Sequence, residues 1–451
     1  MAALRNKEAL YRLGACLALL MTASCLDQEG AGADGSQQES ELVDAPLGFI
    51  VQVDLGEGLV GLSEELSLPF TVEDRTFDLT VDALGPDGSS GSNFTGCLTI
   101  HVTTGVLEGS TSSLSDPDCP SGTLAVADGY GTGTVTISRA YDRLRIWLSD
   151  EGSAESPGSF ATGASDAIFV RHPTVTQLQQ SDSAIESPLE REYVPILGWD
   201  PEHPEKYRRQ LIVTSITNDG FYVTDQANSP GSYNSLFVFS FSRPEGIEVG
   251  DRLKSLAGIV AEFLGFTELQ FPTWEVESRG HSPRAPSVIP PGIVCEDSRM
   301  EAWESSVVRL EDLSSDLRPS DCEDLNEYGQ WPASLPGTCG GATARVNVVN
   351  INTVPSFSFP ECEESSECQT APAPSWCFQP RQLDYLVGIL RHTRYASPPW
   401  ILEVRDCLDF PEAHRPDDCE DLLLEPMSGP RHSPRYEQRQ VPSCVEGELP
   451  R

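Results

Sequence analysis

Thirteen cysteines and seven histidines are the side chains of this 451-residue chain that admit nucleophilic, redox or metal chemistry. Their spacing excludes most of it. The histidines stand singly, at His101, His172, His203, His281, His392, His414 and His432, and no two make an HxxxH pair. There is no G-x-S-x-G elbow, no Walker loop and no C-x-x-C pair of the zinc type, so the sequence supports no catalytic reading. Cys362, Cys368 and Cys377, with Cys322 and Cys339 upstream, sit at irregular intervals that fit disulfides better than a metal cluster. Cys97 and Cys119 flank one acidic loop and read as a local bridge. Cys407 and Cys419 are a further candidate pair.

The cysteines imply an oxidising compartment, and the first 25 residues say how the chain reaches it. Arg5, Lys7 and Arg12 precede the apolar run Leu13 to Ala23, which is shorter than the roughly 20 residues a membrane-spanning helix needs. The run ends in Thr22-Ala23-Ser24-Cys25, which resembles the lipobox of bacterial lipoproteins. That resemblance implies a signal peptide over 1–24, cleavage before Cys25 and acylation of Cys25. Leu26 is not the aspartate that commonly retains such proteins at the inner membrane, so an outer-membrane destination is expected, on its periplasmic or cell-surface face. Residues 25–46 are poor in apolar side chains and rich in Gly, Ser, Gln and acid, the composition of a flexible tether. Setting aside Cys16 in the signal and Cys25, eleven cysteines remain. One of them is left over, and Cys295 or Cys444 is the expected odd thiol.

Charge restricts the partners. Asp and Glu number 69 against 30 Lys and Arg, a net charge of −39 that repels phosphate backbones and anionic lipid heads. Nucleic acid is therefore an unfavoured partner, and the lipid on Cys25 is the expected membrane contact. Asp116, Asp118, Asp128 and Asp150 could gather around calcium, but acidic loops are ordinarily solvated and no cofactor is expected.

The elements that must hold these side chains are strands, and the expected class is all-β. Over 47–172, short alternating runs (Thr76 to Val81, Cys97 to Val102, Thr132 to Ile137, Leu144 to Leu148) are separated by Gly, Asp and Ser clusters. The order FDLTVDALGPDG, FTGCLTIHVTTG, GTGTVTISRAYDRLRIWLSDEG, GASDAIFV resembles the immunoglobulin-like domains of bacterial surface proteins, which implies a β-sandwich. A Pro-, Ser- and Glu-rich stretch, 173–206, reads as a linker. Over 207–299 the run GFYVTD, the VGDRL element, the strand AGIVAEF and the step FTEL resemble the OB-fold domain of bacterial extracellular nucleases and of deltaproteobacterial, myxobacterial-type surface proteins. EAWESSVVRL, from Glu301 to Leu310, resembles the strand that opens a second such unit. A second OB-like barrel with disulfide-rich insertions is expected over 300–410, followed by an irregular tail over 411–451.

The nuclease relatives cut with a separate metal-dependent domain, and no stretch here matches one. What the OB resemblance implies is a binding surface. Phe221, Tyr222 and Trp274 are its candidate aromatics, and Arg243, Arg252, Lys254 and Arg279 its candidate bases. Residues 205–313 nonetheless carry 10 bases against 16 acids, the wrong sign for nonspecific nucleic-acid binding. The sequence thus points to a lipid-anchored envelope protein with a binding or structural role toward a protein or glycan. The alternatives are a nucleic-acid-handling accessory related to secreted nucleases, or a glycan-binding module built on an exposed aromatic such as Trp274 or Trp400.

Overall fold

The computed structural model describes residues 46–419, apart from 57–60, 91–92, 115–118, 153–157, 181–185, 199–208, 316–329, 351–380, 395–397 and 418. Cys25, Cys322, Cys362, Cys368, Cys377, Cys444, Asp116 and Asp118 lie outside the described residues. The class is all-β: two packed sheets come first, then barrels. No helix among the described residues is long and apolar enough to cross a membrane.

The sandwich is built from β1 (Gly48–Asp54), β2 (Arg75–Leu84), β3 (Gly96–Val102), β4 (Val106–Ser112), β5 (Thr123–Val126), β6 (Tyr130–Ser138), β7 (Asp142–Leu144), β8 (Ile146–Ser149), β9 (Thr162–Ala164) and β10 (Ile168–Val170). One sheet runs β1-β2-β6-β4, the other β5-β3-β8-β9, and β7 pairs with β10 beside them. Strict alternation causes this arrangement. Phe77, Leu79, Val81 and Ala83 of β2 point inward while Asp78 faces solvent, and Leu98, Ile100, Val135, Ile137, Ile146 and Leu148 meet them from the other strands. A disulfide joins Cys97 to Cys119.

The stretch 173–206, expected as a linker, belongs in large part to the next unit. Thr174 and Gln177 form a reciprocal capping box at the start of α1 (Val175–Gln179), and β11 (Tyr193–Leu197) pairs antiparallel with β15 (Arg252–Phe263). Val175, Leu178, Leu189, Val194 and Ile196 are buried in the barrel's core, apolar residues that a free spacer would not bury. The Arg209 guanidinium ties the sandwich end to this unit by donating to the carbonyls of His172, Pro173 and Leu197.

The barrel itself uses β12 (Leu211–Ile216), β13 (Gly220–Asp225), β14 (Ser235–Phe239), β15 and β16 (Phe266–Ser278). The pairing β12-β13-β14-β16-β15 returns to β12 and closes the sheet on itself, with β14 and β16 parallel and the other pairs antiparallel. A second sheet repeats this order. In it β18 (Val307–Ser315), β19 (Gln330–Cys339), β20 (Ala342–Val349), β22 (Trp400–Glu403) and β21 (Arg381–His392) follow one another, β18 pairs back to β21, and β20 runs parallel to β22; β17 (Ser287–Val288) adds to β18. Its core centres on Trp331, Trp400, Leu386, Leu390 and Phe410.

Two further disulfides staple this half. Cys295, expected as the odd thiol, is bonded to Cys339, so the segment entering α2 (Asp297–Glu301) is fixed to the end of β19. Cys407 is bonded to Cys419, which anchors the start of the tail, and Cys407 is itself buried in the core.

Candidate binding surface on the first barrel

The sequence offers Phe221, Tyr222 and Trp274 as stacking platforms; the structure buries Phe221 and Tyr222 and leaves Trp274 half-buried. Every residue of β13 is buried, because both faces of that strand are covered. Phe221 and Val223 point into the barrel core, where Trp274 packs edge-on against Phe221 with centroids 5.3 Å apart. Tyr222 points the other way, into an aromatic cluster with Phe237, Phe239 and Phe266 that Ile389 and Val307 of the second barrel cover. Alternation assigns half the aromatics of these strands to the barrel interior, as a sequence reader expects. The other half lie in the barrel–barrel junction, which no single-strand pattern announces.

The same junction holds a buried ion pair. Arg391 Nη1 lies 3.1 Å from Glu403 Oε2, and the Tyr222 hydroxyl donates to that oxygen at 3.3 Å. The guanidinium sits over the Phe266 ring, 4.8 Å from its centroid. Burial pushes the Arg391 pKa down, but the Tyr222, Glu403 and Asp219 oxygens outweigh it and leave it raised; burial likewise pushes Tyr222 well up. Both groups are locked in one protonation state at physiological pH, which suits a structural joint.

The candidate bases are also engaged. Arg252 pairs with Glu277 at 2.7 Å, Lys254 with Glu275 at 3.3 Å and Arg279 with Glu248 at 3.1 Å. Burial pushes the Glu277 carboxyl up, and hydrogen bonds from Ser278 and Arg252 more than offset it, so its pKa is lowered. Arg284 donates to the carbonyls of Asn228 and Gln226. Arg243 is exposed two residues beyond Phe241. With three of these cations paired to carboxylates and Arg284 held by backbone carbonyls, the bases do not form the continuous basic track a phosphate backbone needs.

What the surface does present is a pair of phenylalanines. Phe241 and Phe271 are 53% and 62% exposed, with ring centroids 4.8 Å apart, and Phe239 lies 4.3 Å beneath Phe241. Through Phe237 and Tyr222 the contacts continue into the junction, so the exposed pair is the outer end of a chain of aromatic rings. Both exposed residues have left-handed backbones, with φ of 63° and 49°. That conformation is uncommon for a bulky side chain and costs roughly 1–2 kcal/mol per residue. Phe271 stands in a bulge of β16, between Gln270 and Thr273 and opposite Gly258, where a methyl would lie 2.7 Å from the Gln270 carbonyl. It also precedes Pro272, and residues before proline disfavour helical backbone. Phe241 follows the end of β14, where the Ser240 amide donates to the Asp219 carbonyl at 2.8 Å and fixes the turn. Phe241 ends the aromatic-rich run Ser235 to Phe241, which is its signal in the sequence. Phe271 is missed, and its one sequence signal is the Phe-Pro step that interrupts a β run.

Elsewhere, His101 of β3, Ser149 of β8 and Glu151 just after it have the residue types of a hydrolytic triad. Both Ser149 Oγ and Glu151 Oε1 meet the same ring nitrogen, His101 Nε2, at 3.1 Å each, and Ser149 Oγ donates to Glu151 at 2.9 Å. A relay needs serine and carboxylate on opposite nitrogens, so this geometry does not activate the serine. The His101 ring stacks on Trp147, with centroids 4.0 Å apart. Of the calcium candidates, the Asp150 carboxylate accepts from the Ser159 amide and hydroxyl, Asp128 is exposed, and no metal-holding group occurs among the described residues.

No protein-family model and no curated protein matches the chain. Among solved structures, the ZirS C-terminal domain matches 33% of this chain and 86% of its own, at 14% identity and a TM-score of 0.15. Dimeric latent PorU from Porphyromonas gingivalis matches over 80% of this chain and 34% of its own, at 11% identity and a TM-score of 0.18. Likenesses of this strength carry no argument about fold or function.

Proposed function

We propose that this chain is an exported, lipid-anchored, non-catalytic binding protein of the cell envelope, whose contact surface for a protein partner is the Phe241–Phe271 pair. In this reading an immunoglobulin-like sandwich, tethered through acylated Cys25, carries two OB-like barrels. Three disulfides among the described residues favour an oxidising compartment. The OB-like reading is supported by two five-strand circuits of the same order, each containing one parallel pair between its third and fifth strands.

One observation carries the assignment of the surface: two adjacent phenylalanines are exposed on backbone that disfavours them. Strain and solvent exposure both oppose their presence, and a folded chain gains from neither unless a partner covers the rings. The neutralised bases argue against the nucleic-acid alternative. The glycan alternative loses Trp400, which is buried, and is left with Trp274, half-buried with its ring edge-on to Phe221.

A photoreactive residue at position 241, introduced in cells making the full chain, tests the reading. A discrete cross-linked adduct is expected from position 241 and none from exposed Val249; Phe271→Ser should abolish it. Equal labelling from both positions, or none from 241, removes the surface from consideration. The anchor is tested separately by fatty-acid labelling, which Cys25→Ser should eliminate.

A further inference from the structure

Away from the aromatic surface, three carboxyl groups gather where the barrels join, and none of them is in an ion pair among the described residues. Glu262 lies on β15, Glu301 ends α2, and Glu304 lies in the turn leading to β18. Glu301 and Glu304 are 6% and 1% exposed. Glu304 Oε2 accepts the Thr267 amide at 3.1 Å; Glu262 Oε1 accepts the Thr267 hydroxyl at 2.8 Å and the Ser187 amide at 2.7 Å. The second oxygen of each, Glu262 Oε2, Glu301 Oε2 and Glu304 Oε1, is buried without a partner. The turn is bolted to the second barrel, since the Ser305 amide donates to the Leu390 carbonyl at 2.8 Å. The hairpin tip of the first barrel is held there too, through the Arg394 amide on the Leu264 carbonyl and His392 on the Gly265 carbonyl.

The surrounding charges do not neutralise the cluster. Asp297 of α2 and Glu186 and Glu190 before β11 add negative potential, although Glu186 is paired with Arg394 and Glu190 with Arg191; Arg391 of β21, bound to Glu403, draws the Glu304 pKa down by less than burial and the neighbouring carboxyls raise it. Three ionised carboxylates without partners for these oxygens are unfavourable in such a site, and protonation removes the charge that burial penalises. We propose that Glu262, Glu301 and Glu304 form a proton-held latch that fastens the β15–β16 hairpin of the first barrel to the α2–β18 turn of the second, and that alkali releases it. Burial raises all three pKa values, Glu262 to about 7, Glu301 to about 8 and Glu304 well above the usual range; the Glu262 charge adds to Glu301, the Glu301 and Glu262 charges add to Glu304, and Glu186 and Glu190 add to Glu262 against the opposing hydrogen bonds from Ser187 and Thr267.

The sign follows from linkage. Groups whose folded pKa exceeds the unfolded value hold more protons when folded, so their stability is complete below about pH 4 and declines as pH rises through the folded values. Hydrogen exchange of the full chain between pH 6 and 9.5, corrected for intrinsic rate, reads this locally. Protection of residues 262–268 and 297–306 is expected to fall roughly tenfold per pH unit near pH 8 for one proton lost. Protection of 77–84 in the sandwich should stay level. Glu304→Gln and Glu301→Gln, which keep an uncharged side chain of the same shape, should each flatten the profile. A junction whose protection is independent of pH overturns the latch, as do variants that retain the full pH dependence. If Glu304→Gln does not fold, the wild-type profile and Glu301→Gln decide the matter.

Discussion

Removing Arg391 tests whether the barrels form one joint, and the structure fixes the size of the effect. Arg391 and Glu403 side chains are 13% and 12% exposed, and the Tyr222 hydroxyl shares the acceptor oxygen. Arg391→Leu leaves the Glu403 carboxylate buried without its cation, a loss of about 3–5 kcal/mol. It also removes the cation over the Phe266 ring, worth about 0.5–2 kcal/mol. Glu403→Leu strands the guanidinium instead and costs a similar amount. The double variant removes both charges together, so it should cost much less than the sum, with a coupling energy of about 2–3 kcal/mol. Tyr222→Phe should lose only about 1 kcal/mol, the value of one hydrogen bond. The assay is guanidinium unfolding of the four variants, with hydrogen exchange in β13 and β21 showing that both barrels respond. Additive single effects, or a cost below about 1 kcal/mol for Arg391→Leu, would refute the joint.

Other consequences are equally open to measurement. Phe241→Ser with Phe271→Ser should change unfolding free energy by no more than about 1 kcal/mol in chemical denaturation, because relief of left-handed strain offsets the lost ring contact. Gly265→Ala should destabilise the hairpin tip by about 1–3 kcal/mol in thermal unfolding, since Gly265 has a φ of 86° and its new methyl would run into the His392 ring. Burial lowers the pKa of His172 and His392, so their contribution to stability is complete above about pH 6.5 and lost as pH falls through the folded values; an acid-side decline in melting temperature should shrink in His172→Gln. Cys295→Ser with Cys339→Ser opens a 44-residue separation and should cost about 4 kcal/mol by the chain-entropy estimate, seen as a lower denaturation midpoint.

The strands were legible where one face of a sheet meets solvent. Phe77, Leu79 and Val81 announce their own orientation, and GFYVTD, VGDRL and the glycine strand give the barrel its elements in order. Legibility fails where a strand is covered twice. In β13 the pattern has no polar alternation, and nothing local says that Tyr222 meets Arg391 and Glu403 more than 160 residues away. Cys295 looked solitary for the same reason, because its partner is brought close by the path of α2 and β19 and not by spacing. The stretch 173–206 reads as a spacer from its Pro, Ser and Glu content, yet its few apolar residues are the ones the barrel core takes up. The exposed phenylalanines are the converse case. Composition predicts their burial, and left-handed backbone at φ 63° and 49° turns them outward.

The parallel pairs that close the two circuits also dictate an order of assembly. β16 is the last strand of its barrel in sequence but lies between β14 and β15, and β22 lies likewise between β20 and β21. Until that last strand has emerged, its neighbours carry unpaired edges, which can template pairing with another chain. Each circuit can therefore close only when synthesis has delivered its final strand. A nascent chain held before Phe266 or Trp400 would be an open, aggregation-prone sheet that a holdase chaperone would have to cover.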